Sequence, residues 1–263
     1  MPNPPAIEFI GVAKRFAARG ASGEVLAVRD VNLAIHPKEV VSLIGPSGCG
    51  KSTLLNMGSG LAKPTEGSVK VAGQPVTGPH RDVAFMLQKD LLLPWRTISE
   101  NVQLGMEMRG HSRSERTETA QRLLKQFHLA DFGDHYPAQL SGGMRQRAAM
   151  ARTLAVDPHV LLMDEPFSAL DAQTKMILQQ DLAQTVRQAG KTVLFITHDL
   201  AEAVALSDRI LVMSERPGTI VEEIQVDLPD RDRPMQRRTL PAMTGYINRL
   251  MDLLKLESHS DLI

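Results

Sequence analysis

The sequence predicts an α/β fold with an antiparallel β subdomain beside a parallel core and an α-helical subdomain inserted into that core. Short apolar runs alternate with longer helical patterns through most of the chain, as in a sheet built from crossover units. The runs stop between Gln88 and Asp157, where only helical spacing remains. Near the start, apolar residues instead fall in short segments broken by glycine.

From the N-terminus, Val12, Phe16, Val25, Val28, Val31, Leu33 and Ile35 lie in segments interrupted by Gly20 and Gly23, which predicts antiparallel strands joined by a loose hairpin. Val40-Val41-Ser42-Leu43-Ile44 is a β-rich run that ends at a glycine-rich turn, with a helix expected from near Gly50. Val83-Ala84-Phe85-Met86-Leu87 is a further run that ends at Gln88. Thr97-Ile98-Ser99-Glu100 is a capping-box pattern opening a helix that carries Ile98, Val102 and Met106. Ala120, Leu123, Leu124 and Phe127 recur at helical spacing between Ser114 and His128, and a third helix is expected from Gly143 to Val156, stopping at Asp157-Pro158. These three helices make the inserted subdomain, residues 89–157.

Val160-Leu161-Leu162-Met163, Val193-Leu194-Phe195-Ile196 and Arg209-Ile210-Leu211-Val212-Met213 are apolar runs suited to strands covered on both faces. The main domain is expected over residues 6–228, followed by a linker and helical extension over residues 229–263. In that extension Pro229, Arg231, Arg233 and Pro234 form the polar linker, and Pro241 suits a first helical position. Met243, Ile247, Leu250, Met251 and Leu254 then make one apolar stripe. Packing against the core is its simplest role, with a regulatory dimer contact as the alternative.

Composition narrows the function. Of the 263 residues 43% are apolar, and Lys plus Arg balances Asp plus Glu at 30 against 30, so a basic surface for nucleic acid or anionic lipid is not expected. No apolar run approaches the length of a membrane span, and Met1-Pro2-Asn3-Pro4-Pro5 lacks a signal-peptide pattern. The single cysteine, Cys49, supports neither a disulfide framework nor a thiolate zinc site. The chain reads as a soluble intracellular protein that needs a partner if it works at a membrane.

Gly45-Pro46-Ser47-Gly48-Cys49-Gly50-Lys51-Ser52 fits the P-loop pattern and follows a predicted strand, as that motif requires. Its glycines let successive N–H groups turn toward phosphate oxygens, and the helix start adds its positive end. Lys51 can reach the β- and γ-phosphates, the Ser52 hydroxyl can ligate Mg²⁺, and Thr53 belongs to the same nucleotide-binding run. Cys49 reads as a small helix-start residue. Asp164, at the end of an apolar run, stands where a Walker B carboxylate holds Mg²⁺, and Glu165 is placed to polarise an attacking water. A P-loop with this acid pair predicts an NTPase.

Leu140-Ser141-Gly142-Gly143-Met144-Arg145-Gln146 resembles the signature motif of the ABC (ATP-binding cassette) family and precedes the Walker B run, as in that family. The resemblance spans residues 6–226 and implies ATP and Mg²⁺ as ligands. It also implies a head-to-tail homodimer in which Ser141, Gly142 and Gly143 meet the γ-phosphate of ATP held by the other copy. Phe16 resembles the aromatic A-loop residue that stacks on adenine, and Gln88 the Q-loop glutamine that senses Mg²⁺. Asp171, in Ser168-Ala169-Leu170-Asp171, resembles the D-loop aspartate, and His198 the switch histidine that contacts the γ-phosphate. On this resemblance Glu165, His198 and Lys51 are the catalytic residues, and Ser52, Gln88 and Asp164 the metal site. Lys38-Glu39 departs from the usual Gly-Glu.

Gln88-Lys89-Asp90-Leu91-Leu92-Leu93-Pro94-Trp95-Arg96-Thr97, with Glu100-Asn101-Val102 and the tail prolines and arginines, is similar to the nitrate/sulfonate/taurine branch of import ATPases. That branch implies separate integral membrane permease subunits, indirectly a solute-binding protein, and a place on the cytoplasmic face of the inner membrane. Leu91, Leu92, Leu93 and Trp95 form an apolar cluster suited to a permease helix, or else seed the helical core. The rival readings are an exporter subunit and a soluble ABC ATPase serving DNA, ribosomes or cluster assembly. A binding module without catalysis is disfavoured, because Lys51, Asp164, Glu165 and His198 are all present.

Overall fold

The computed structural model of the chain describes residues 4–17 and 23–254. Its strands are β1 (Ile7–Ala17), β2 (Glu24–Ile35), β3 (Val40–Ile44), β4 (Glu66–Val71), β5 (Gln74–Pro75), β6 (Val83–Met86), β7 (Val160–Asp164), β8 (Thr192–Ile196), β9 (Arg209–Met213) and β10 (Ile220–Gln225). Its helices are α1 (Lys51–Gly58), α2 (Ile98–Met108), α3 (Arg113–Gln126), α4 (Gly142–Ala155), α5 (Ala172–Gln188), α6 (Leu200–Leu206), α7 (Pro234–Arg237) and α8 (Ala242–Leu253).

Six strands form one sheet in the order β10-β9-β3-β8-β7-β6, parallel except for β10 at its edge. Every residue of β3, β7, β8 and β9 is buried, which is why these strands read as largely apolar runs. The pairings Leu43↔Ile196 and Asp164↔Ile196 bring the carboxyl ends of β3, β8 and β7 to one edge. Ligands in open α/β sheets bind at such an edge.

The second sheet is antiparallel, in the order β2-β1-β4-β5. Its β1–β2 pair matches the expected hairpin, although Gly20 lies outside the described residues. β4 and β10 were not legible, because charged and polar residues interrupt Glu66–Val71 and Ile220–Gln225. Helix α1 is wedged between the sheets. A Cβ added at Gly58 would lie 3.0 Å from the Phe9 ring and 3.2 Å from Leu162.

Helices α2, α3 and α4 pack together through Ile98, Val102, Leu123, Phe127, Ala148 and Ala151. Thr97 and Glu100 form the expected capping box. Helix α3 begins before Ser114, because a second box, Ser112 with Glu115, fixes its start at Arg113. Ser141 caps α4, so that helix starts at Gly142 rather than Gly143. Lys38 has φ +69, a left-handed backbone that favours glycine, and its N–H donates to Thr192 Oγ1 at 2.9 Å.

Residues 229–241 are not a free linker. Arg237 is 2% exposed and donates to the carbonyls of Pro229 (2.8 Å), Val204 (3.3 Å), Ala205 (3.3 Å), Ser207 (2.8 Å) and Leu228. The carbonyls of Val204, Ala205 and Ser207 belong to the end of α6, where a helix leaves acceptors without partners in its own backbone. Pro241 is the N-cap of α8 rather than its first residue, and Met243 and Leu250 bury against Val204, Ile210 and Ile224. The stripe therefore packs on the core. Residues 255–263 of the predicted extension lie outside the described residues.

Arg237→Ala leaves buried carbonyls unpaired and is expected to cost about 3 kcal/mol, since a hydrogen bond from a charged donor is worth roughly 1.5–3 kcal/mol. Thermal denaturation checks this, and a melting point within a degree of the parent would contradict it.

Candidate nucleotide site

The loop after β3 is held by steric constraint. Gly45 has φ +154, and a Cβ there would lie 2.9 Å from the Met213 carbonyl oxygen. Gly50 has φ +110, and its Cβ would stand 2.7 Å from Val28 Cγ2 and 3.0 Å from the Ala27 oxygen. Only glycine fits either position, so the loop lies tight between β2 and the end of β9. Lys51 opens α1 and donates through Nζ to the carbonyls of Gly45 (2.7 Å) and Pro46 (2.8 Å). Cys49 is buried, with Sγ 3.8 Å from Lys51 Nζ. Gly45, Pro46 and Cys49 thus form the base of the loop.

Above it opens a cleft of about 470 Å³. Phe16, Val25 and Ala27 line it, as do Ser47, Gly48, Gly50, Lys51, Ser52 and Thr53, and Gln88, Asp164 and Glu165. Phe16 is exposed and carries Lys14 Nζ 5.3 Å from its ring centroid, a cation–π contact.

The acids divide their environments. Asp164 is buried at the end of β7, and burial raises its carboxyl above the ordinary Asp range. The Ser52 hydroxyl offsets part of that rise and the neighbouring Glu165 adds to it. Glu165 has φ +48, a conformation rare for a residue with a side chain. Its Oε2 accepts a hydrogen bond from Gln88 Nε2 at 3.2 Å and lies 3.3 Å from His198 Nδ1. Its backbone N–H donates to the Ile196 carbonyl at 3.1 Å. Gln88, Glu165 and His198, from the ends of β6, β7 and β8, therefore meet around one carboxylate.

Other expected residues do not join this cleft. Ser141 caps α4, its Oγ accepting from Met144 N at 3.2 Å, with Gly142 and Gly143 in the first turn. Asp171 caps α5 by accepting from Thr174 N at 2.9 Å, which holds its carboxyl below the ordinary range. The leucine cluster is split. Leu92 is buried in the helical core, whereas Leu91 and Trp95 are 54% and 71% exposed. Arg145 Nε donates to Asp90 Oδ2 at 3.0 Å, and Arg152 donates to the carbonyls of Asp90 and Leu91.

Arg216 also lines the cleft and was not anticipated. It sits on the β9–β10 turn, where Gly218 N donates to Ala27 O at 3.0 Å and the Gly218 carbonyl accepts from Arg29 N at 2.9 Å. A Cβ on Gly218 would lie 2.0 Å from the Cys49 oxygen, so this turn backs the phosphate loop. A lone arginine in a turn carries no sequence signal; only the fold brings it here.

The profile of the ABC transporter family matches residues 28–168. The nitrate import ATP-binding protein of Synechocystis sp. is 43% identical over 241 residues, covering 90% of this chain and 91% of that protein. The taurine import ATP-binding protein of Yersinia pestis is 44% identical over 205 residues, covering 78% of this chain and 80% of that protein. A dimeric ATP-binding cassette solved in a post-hydrolysis state with ADP and Pi superposes with a TM-score of 0.77 at 35% identity. It covers 84% of this chain and 99% of its own.

A carboxyl raised above its ordinary value destabilises the fold once ionised, so stability falls as pH rises through the raised value. Asp164→Asn is therefore expected to melt higher than the parent at pH 7 without nucleotide or metal. The gap should close below the ordinary Asp value of 3.8. A lower melting point for the variant at pH 7 contradicts this.

Proposed function

The chain belongs to the ABC transporter family and is an ATPase, and on that premise we propose that it energises uptake of a small solute such as nitrate, a sulfonate or taurine through separate permease subunits. The observation that carries the catalytic reading is the gathering of Gln88 and His198 around the Glu165 carboxylate, beside a glycine loop too tight for side chains. Similarity to nitrate and taurine import proteins supports the direction of transport and the solute class.

The residues divide the work. Backbone N–H groups of Ser47 to Ser52 and the start of α1 receive the phosphates, and Lys51 meets their charge. Phe16 supports the base from one side, and Arg216 adds a guanidinium to the same cleft. Glu165 takes a proton from water aimed at the γ-phosphorus, while His198 and Gln88 hold that carboxylate in place. A buried carboxylate beside a hydroxyl is a hard oxygen donor pair, so Asp164 and Ser52, with Gln88 nearby, fit Mg²⁺. When bound, Mg²⁺ supplies neutralising charge for the β- and γ-phosphates.

Ser141, Gly142 and Gly143 stand apart from this chain's own cleft, which supports a second copy supplying them across a head-to-tail dimer, with Asp171 at the seam. A dimeric solved relative supports the same arrangement. Among the described residues no helix is long and apolar enough to cross a membrane, so the permease provides the anchor at the cytoplasmic face. A solute-binding protein on the far side would deliver the cargo. Exposed Leu91 and Trp95 are the proposed permease contact.

Glu165→Gln is expected to lower ATP turnover by roughly two to three orders of magnitude while nucleotide still binds. Undiminished ATPase activity refutes the role of Glu165. Trp95→Ala is expected to leave soluble ATPase activity intact and abolish co-purification with the permease, and unchanged assembly removes Trp95 from the interface.

A further inference from the structure

Next to His198 in the chain, a charge cluster built around the buried Glu202 is not used by the hydrolytic steps. Lys175, one turn into α5, places Nζ 2.8 Å from Asp199 Oδ2 and 2.8 Å from Glu202 Oε2. Glu202 is 2% exposed and also accepts from Gln179 Nε2 at 2.9 Å. Arg238, from the docked C-terminal segment, donates to Gln179 Oε1 at 2.9 Å.

The cluster joins the starts of two helices. Lys175 N donates to the carbonyl of Asp171, the cap of α5. Asp199 caps α6, its Oδ1 accepting from Glu202 N at 3.0 Å while Oδ2 faces Lys175. Asp199 N in turn donates to Thr197 Oγ1 at 3.0 Å. His198 sits between these anchored neighbours with its side chain 70% exposed, and among the described residues its side chain makes one polar contact, to Glu165. Its position is therefore inherited from the backbone of residues 197–199 rather than from its own packing.

We propose that Lys175 is the positioning residue of the ATPase, cross-linking the loop that carries His198 to the loop that carries Asp171 through Asp199 and Glu202. The proposal rests on the reading of His198 given above. Without Lys175, Glu202 is a buried carboxylate with no cation, and Asp199 keeps its cap but loses its tether. Burial already raises the Glu202 carboxyl, and Lys175 offsets only part of that rise. The loop shifts to relieve the buried charge, and His198 moves with it.

The test is a double-mutant cycle on the full chain with Mg–ATP, using Lys175→Met, His198→Ala and the pair. Lys175→Met is expected to lower kcat about tenfold with KM for ATP nearly unchanged, because small displacements of a positioned group cost up to ~10²-fold and the phosphate loop is untouched. In the His198→Ala background Lys175→Met should add almost nothing. Equal losses in both backgrounds would mean a general structural role and overturn the proposal. If His198→Ala leaves turnover intact, the underlying reading of His198 fails instead, and the proposal with it. Should Lys175→Met not fold, the Lys175→Met/Glu202→Gln pair removes both charges together and is read in the same cycle.

Discussion

The phosphate loop is wedged between the two sheets, with no room for a side chain at Gly45 or Gly50 and none at Gly218 behind it. Gly45 faces the end of β9, Gly50 faces Ala27 and Val28 of β2, and Gly218 faces the Cys49 carbonyl. The placement of Lys51 and Ser52 is thus inherited from the sheets rather than chosen by their own rotamers. Register does the rest, since β3, β8 and β7 end level with one another. A glycine motif alone would make a flexible turn. Pressed between β2 and β9, it becomes a cradle of fixed shape.

Two adjacent carboxylates at the end of a buried strand are an expensive arrangement, and the fold keeps them apart in role. Asp164 stays in the sheet, shielded from water, where its ionised form is disfavoured. The left-handed backbone of Glu165 turns its carboxylate toward Gln88 and His198. Such a backbone costs on the order of 1–3 kcal/mol and persists because neighbours over-determine it. Here those neighbours are the Ile196 carbonyl and the Ser168 hydroxyl, which donates to Glu165 O at 3.0 Å. Strain and buried charge are concentrated where the chemistry is proposed.

Much of this was legible in the residues, for a local reason. Phosphate loops, capping boxes and strand-end acids are contiguous, so Gly45 to Ser52, Thr97 to Glu100 and Asp164-Glu165 announce themselves. Buried strands do too, because both faces must be apolar. What was hidden depends on distant pairing. Arg216 meets the cleft only because the β9–β10 turn folds against Cys49. Arg237 carries no signal of its own in the sequence, and its role comes from the helix-end carbonyls that α6 offers it. Leu91, Leu92 and Leu93 looked alike in sequence, yet Leu91 takes φ +44 and faces out while Leu92 turns in.

The grip of α4 on residues 90–91 has a mechanical corollary. Arg145 and Arg152 hold that short stretch by side chain and backbone, which ties the segment running from Gln88 to Trp95 to the helix that Ser141 caps. In the head-to-tail pairing proposed above, such a tie would pass a displacement at the outer, indole-bearing surface to the serine that meets the other copy's triphosphate.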